Sequence, residues 1–120
     1  MPVERDRDLV LENLAEIRRR IDLACERSGR EAGSVRLVAA AKTVEPRAIT
    51  WVRDAGVPDV GENYVTELRA KREAIQGIRW HYIGMLQRGS AHHLADLADV
   101  VETVVPGSAA RRLARRLVER

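Results

Sequence analysis

Lysine is rare in this chain, and its two copies stand out as groups that can do amine chemistry. The 120 residues include 19 arginines but only Lys42 and Lys71. A guanidinium stays protonated, whereas a lysine amine that loses its proton is a nucleophile that condenses with aldehydes. Lys42 ends the apolar run 35–41, where a surface cation is not expected. Lys71 lies in a polar helical run and is interpreted as a solvated surface residue.

The position of Lys42 favours a functional role. Groups that act in parallel α/β proteins gather where the strands end, because the following loops form a common mouth there. A lysine inside this mouth is partly desolvated, and desolvation favours the free amine. The alternative is that Lys42 caps its strand and extends its amine into water.

Two further polar residues follow or lie in predicted strands. Asn63 ends the second strand and offers both a donor and acceptors, although Asn is also a common helix N-cap. His81 lies between Trp80 and Tyr82 and should face away from both, as a ligand-binding group or as a hydrogen-bonded core histidine. His92 and His93 have no carboxylate or cysteine at metal spacing beside them, so no metal site is predicted.

The elements that position these residues alternate between helix and strand. Apolar residues at steps of three and four predict a helix over 5–28 that ends before Gly29, and Pro46 opens a second helix that closes before Gly56. Strands are predicted over 35–41, around Val60, over 78–84 and over 100–105. The remaining helices are predicted after Tyr64, near Ser90 and over 109–119.

Four βα units in sequence predict an α/β fold with a parallel sheet covered by helices. Either a small open sheet or part of a (β/α)₈ barrel satisfies this pattern. A complete barrel needs about 250 residues. We therefore predict one domain over 1–120, which is either a small open sheet or a truncated barrel with about half of that length.

Composition restricts the compartment and the partners. Acids and arginines occupy the first ten residues, where a signal peptide needs an apolar stretch, and no apolar run is long enough to span a membrane. Cys25 is the only cysteine and is interpreted as a structural residue on a helix. These features predict a cytoplasmic protein without membrane contact. The net charge of +3 is interspersed, and the arginines at 111, 112, 115 and 116 are interpreted as a solvated face, so no nucleic-acid partner is predicted.

Three motifs in register resemble the pyridoxal phosphate homeostasis protein family, also known as YggS- or PROSC-like proteins. They are VAAAKT at 38–43, GENYV at 61–65 and WHYIGMLQ at 80–87. The resemblance implies a fold similar to the alanine racemase barrel domain, with pyridoxal 5'-phosphate (PLP) held as an internal aldimine. Lys42 matches the Schiff-base lysine, Asn63 a residue beside the cofactor, and His81 belongs to the next strand end. The resemblance further implies a carrier of the cofactor that is not an enzyme.

The chain departs from the family pattern in two places. Gln87 is followed by Arg-Gly-Ser, where the family has an amide and a lysine, and Val104 is followed by Val-Pro-Gly-Ser in place of Asp-Ser. The family's phosphate-binding residues lie in the second half of the barrel. Two other functions are therefore considered: a structural or interaction remnant without cofactor and, less favoured, a racemase-like enzyme. An uncovered inner face predicts either a homodimer or pairing with the other half of the barrel.

Overall fold

The computed structural model describes residues 6–119, which form a single sheet with helices packed against it. In chain order the elements are α1 (Arg7–Ser28), β1 (Ala39–Ala40), α2 (Pro46–Asp54), β2 (Asp59–Glu62), α3 (Val65–Ala74), β3 (Arg79–Tyr82), a 3₁₀ turn (Ala91–His93) that continues into α4 (Leu94–Leu97), β4 (Val100–Val101) and α5 (Ser108–Glu119). The predicted alternation of strand and helix is confirmed.

The four strands are parallel and lie in the order of the chain, β1-β2-β3-β4. Val60 of β2 is in register with Ala39 on one side and Trp80 on the other. Gly61 is in register with Ala40 and His81. Because side chains alternate along a strand, these two rows lie on opposite faces of the sheet.

The core lies between the helices and the face of the sheet that carries Val60 and Trp80. Both of these side chains are fully buried, at 0% and 1% exposure. Each of the helices α2 to α5 contributes to the same cluster, through Ile49, Leu68, Leu94 and Leu113 among others. The helices therefore cover one face of the sheet.

The opposite face carries Ala40, Gly61 and His81 and has no helix against it among the described residues. Ala40 is exposed accordingly. The chain measures 41 × 41 × 22 Å and has a radius of gyration of 16.1 Å, against about 14 Å expected for a compact chain of this length. The molecule is thus a flattened slab with one sheet face open.

Helix α1 has well-defined ends. Asp6 is its N-cap and accepts a hydrogen bond from the Leu9 N–H, and Gly29 ends it in a left-handed conformation with φ 75°. The end of α1 was predicted, whereas its predicted start at Arg5 lies outside the described residues. Cys25 lies on α1, as predicted, and is buried there. The Arg18 guanidinium donates to the Ala55 and Gly56 carbonyl oxygens, both at 2.8 Å, and docks α1 on the end of α2.

The predicted strands are too long at both edges of the sheet. The segment 35–41 was predicted as a strand buried on both faces, but β1 covers only Ala39–Ala40. The segment 100–105 shortens to Val100–Val101, with Val104 and Val105 more than half exposed. β4 ends at Val101, in register with the last residue of β3, whereas β1 pairs with only the two central residues of β2. The central segment 78–84 shortens to Arg79–Tyr82.

Candidate functional site

Lys42 lies in a tight turn at the C-terminal end of β1. The Ala41 N–H donates to the Gly61 carbonyl (2.8 Å), and the Val44 N–H donates back to the Ala41 carbonyl (3.0 Å), which closes the turn. Thr43 has φ 63°, a left-handed conformation that is unfavourable for a β-branched residue. Such strain persists where the surroundings hold it, so the turn presents Lys42 in a defined position.

The Lys42 side chain is exposed, contrary to the expected partial desolvation. Its Nζ lies 5.4 Å from the centroid of the Tyr64 ring, which is itself half exposed. A cation–π contact at this distance draws the amine toward the start of α3. No described segment covers the open sheet face on that side, so the amine stays accessible to a ligand from solvent.

Asn63 directly follows β2 and lies next to the end of β3. It is half-buried and precedes Tyr64, which is the N-cap residue of α3, so Asn63 does not take the N-cap position considered above. A Cβ added to Gly84 would lie 2.0 Å from the Asn63 carbonyl oxygen. Only glycine permits this approach of the two strand ends. Gly84 of the WHYIG segment thus fixes the backbone that carries Asn63.

His81 is buried on the open face of the sheet between two carboxylates. Its Nδ1 lies 2.7 Å from Glu102 Oε1, and its Nε2 lies 2.9 Å from Asp59 Oδ1. Both ring nitrogens are therefore engaged by carboxylate oxygens. The contacts tie β2, β3 and the residue after β4 together. Because both ring nitrogens are engaged, His81 would influence a bound ligand only indirectly, through Glu102. The role of His81 toward a cofactor stays a prediction.

The interpretation of Lys71 as a solvated residue is wrong. Lys71 is 8% exposed, and its Nζ donates to Glu62 Oε1 at 2.6 Å and to the Ala41 carbonyl at 2.8 Å. The sequence holds a signal for this burial: Leu68, Lys71 and Ile75 are spaced by three and four, so they share the buried face of α3. Glu62 of the GENYV motif is also fully buried, and its pairing with Lys71 was not predicted from the sequence.

Burial raises the pKa of the Glu62 carboxyl above its ordinary value of 4.5. The Lys71 ammonium opposes this shift, and the neighbouring Glu67 carboxyl adds to it. Oε2 of each glutamate is buried, and within residues 6–119 no donor hydrogen bonds to either atom while both carboxyls are ionised. The two carboxyls and one ammonium therefore form a single charged cluster beneath the ends of β1 and β2.

This cluster predicts a pH-dependent contribution to stability. A carboxyl whose pKa is raised on folding contributes stability that is fully present below pH 4.5 and is lost as the pH rises through the raised value. Glu62→Gln removes the titration. The free energy of unfolding of the native chain minus that of Glu62→Gln should therefore fall as the pH rises above 4.5, measured by urea unfolding at a series of pH values. A difference that stays constant or rises would contradict the assignment.

A groove on the described chain lies away from Lys42. It has a volume of about 760 Å³ and runs between α5 and the 3₁₀ turn, lined by Arg88, His92, His93 and the arginines at 111, 112, 115 and 116. Arg116 pairs with Asp96 at 3.1 Å. Burial and the positive charges of His93, Arg112 and Arg116 lower the pKa of His92. These arginines are exposed, and Lys42, Asn63 and His81 are not among the residues that line the groove.

Within residues 6–119, no three His, Cys, Asp or Glu side chains converge as a metal site. Over the same residues, no helix has the length and apolar character that crossing a membrane requires.

Comparison with known proteins gives consistent matches. The pyridoxal phosphate homeostasis protein of Aquifex aeolicus is 39% identical over 85 residues, 69% of this chain and 37% of that protein. The Escherichia coli protein of the same name is 36% identical over 100 residues, 79% of this chain and 43% of that protein. The chain belongs to the pyridoxal phosphate homeostasis protein family. No protein-family profile matches it.

Solved structures relate the sheet of this chain to part of a barrel. A protein of Bifidobacterium adolescentis superposes with a TM-score of 0.88 at 32% identity, covering 99% of this chain and 54% of that one. PipY of Synechococcus elongatus, solved with PLP bound, has a TM-score of 0.67 at 33% identity over 81% of this chain and 47% of PipY. PipY belongs to a family with the TIM-barrel fold, so the parallel sheet corresponds to half of such a barrel. The chain spans about half the length of the relatives it matches.

Proposed function

We propose that this chain binds PLP through Lys42, as a lysine aldimine, and serves in cofactor homeostasis without turning over a substrate. The Lys42 amine would attack the aldehyde carbon of the cofactor and form a C=N bond with release of water. One observation carries the proposal: of the two lysines, Lys42 is exposed at the mouth of the strands, whereas Lys71 is buried and engaged. The structure of the related protein PipY with PLP bound also supports the proposal.

The neighbouring residues have separate proposed roles. Asn63 follows the adjacent strand, and within residues 6–119 its side chain makes no hydrogen bond, so its amide is available to the cofactor. The Tyr64 ring limits where the Lys42 amine moves. His81 contacts Glu102, which follows β4 at the same end of the sheet as Lys42, and so holds that carboxylate in place at the mouth. Bound PLP supplies an electrophilic aldehyde, and we infer that these residues bind and orient it.

Titration with PLP tests the proposal. We expect a saturable absorbance change with one cofactor per chain. Asn63→Ala should weaken binding by about 0.5–1.5 kcal/mol, the value of one hydrogen bond. Asn13→Ala, an exposed position on α1, is the matched control and should bind as the native chain does. Absence of a saturable change in the native chain would refute the proposal and favour a remnant without cofactor.

What covers the open sheet face, where the protein is located and which partners it has all stay predictions. We propose that the open sheet face is covered in solution, by a second copy of the chain or by the other half of the barrel. Light scattering at micromolar concentration tests the first of these, because a strictly monomeric chain excludes the dimer. A cytoplasmic location without nucleic-acid or membrane partners is proposed on composition alone.

A further inference from the structure

The buried ammonium of Lys71 contacts the chain immediately before both main site residues. Its Nζ donates to the Ala41 carbonyl, which belongs to the peptide bond that joins Ala41 to Lys42. It also donates to Glu62, the residue before Asn63. A single side chain from α3 thus connects the end of β1 to the end of β2.

We propose that Lys71 is a positioning residue for the PLP site, fixing the turn from which Lys42 projects. This inference rests on the proposed function, because it assigns Lys71 a purpose only if Lys42 carries the cofactor. Lys71 itself touches neither the ligand nor the reacting amine.

The turn at Lys42 needs such an anchor. β1 is an edge strand with two ladder residues and one neighbouring strand, so few backbone hydrogen bonds hold its end. The Ala41 carbonyl accepts both the Val44 N–H that closes the turn and the Lys71 ammonium. A strained residue such as Thr43 relaxes unless its surroundings hold it. Removing the ammonium should therefore loosen the turn and spread the orientations of Lys42.

Lysine suits this position better than the arginine that the chain uses elsewhere. A compact ammonium carries three donors on one atom and reaches a carbonyl and a carboxylate in different directions. Both contacts are short, at 2.8 Å and 2.6 Å, and Glu62 is fully buried. The donors of a guanidinium are spread over several nitrogens in one plane, so they do not radiate from a single atom. The two lysines of the chain accordingly lie at the two positions where an amine is required.

The test separates positioning from stability with a double variant. Glu62→Leu/Lys71→Met replaces the buried pair by apolar side chains of similar size, an exchange that often leaves stability unchanged. Lys71→Met is the single variant. Arg69→Met, an exposed position on the same helix, is the matched control. Each variant is measured for melting temperature, PLP dissociation constant and hydrogen exchange of the Val44 amide.

We expect the double variant to fold and yet to bind PLP about tenfold more weakly, as loss of one charge-assisted hydrogen bond that fixes the site would produce. Exchange of the Val44 amide should quicken in parallel, with or without PLP, while Arg69→Met changes neither. A folded double variant with native PLP affinity and native Val44 exchange would overturn the proposal. Failure of the native chain to bind PLP on Lys42 would overturn the proposed function and, with it, the positioning role of Lys71. In that case, faster exchange of the Val44 amide in the variants would show only that Lys71 anchors the turn.

Discussion

Glu62→Leu is expected to lower the free energy of unfolding by about 3–5 kcal/mol, because it leaves the Lys71 ammonium buried without its carboxylate. Lys71 is 8% exposed, so most of its side chain is removed from water. The remaining hydrogen-bond partner, the Ala41 carbonyl, offers a dipole in place of a full charge. Urea unfolding at neutral pH measures the loss.

Two further variants make this prediction specific. Adding Lys71→Met to Glu62→Leu removes the stranded charge and should restore most of the stability. Glu16 on α1 also pairs with cations, Arg19 and Arg20, but on the surface. Glu16→Leu should therefore change stability little, since solvent screens exposed pairs. If Glu62→Leu proved as stable as the native chain, the buried pair would have no energetic role.

Gly84→Ala is expected to cost about 3 kcal/mol or more, the upper range for forcing atoms into packed space. The added Cβ would lie 2.0 Å from the Asn63 carbonyl oxygen and 2.8 Å from its carbonyl carbon. These are backbone atoms and cannot rotate away. The strands are also joined there, because the Ile83 N–H donates to the Glu62 carbonyl at 2.9 Å. Relief of the clash must separate β2 from β3 and displace Asn63.

Gly89→Ala is the matched control for this substitution. An added Cβ at Gly89 meets no atom within 4 Å. Thermal unfolding should therefore show a large loss for Gly84→Ala and almost none for Gly89→Ala. Equal melting temperatures for the two variants would show that β2 and β3 separate easily at the mouth.

The helices were predictable from local signals, whereas the strand lengths were not. Gly29 and Pro46 act on their own segments, and the ends they predict for α1 and α2 agree with the structure. The length of β4 depends on where β3 stops, and the length of β1 depends on how much of β2 it pairs with, and no local pattern records either of these. Val104 and Val105 are apolar in sequence and exposed in the structure for this reason.

The residues at the mouth of the site were predictable from the sequence, whereas the buried contacts beneath the mouth were not. Lys42 and Asn63 follow directly from the position of strand ends in a parallel sheet. The partners of Lys71 come from β1 and β2, 30 and 9 residues away in the chain, so helical periodicity alone indicates burial but not contact. The two carboxylates on His81 likewise come from the start of β2 and the residue after β4. Contacts of this kind require the fold.

Borohydride reduction of the chain loaded with PLP, followed by peptide mapping, tests the central claim most directly. Reduction converts the C=N bond to a stable secondary amine and marks the lysine that held the cofactor. The exposed amine at the end of β1 predicts a single adduct on Lys42, with Lys71 unlabelled because it is buried and hydrogen-bonded. Label shared equally between Lys42 and Lys71 would indicate unselective amine chemistry and would contradict a PLP site at Lys42.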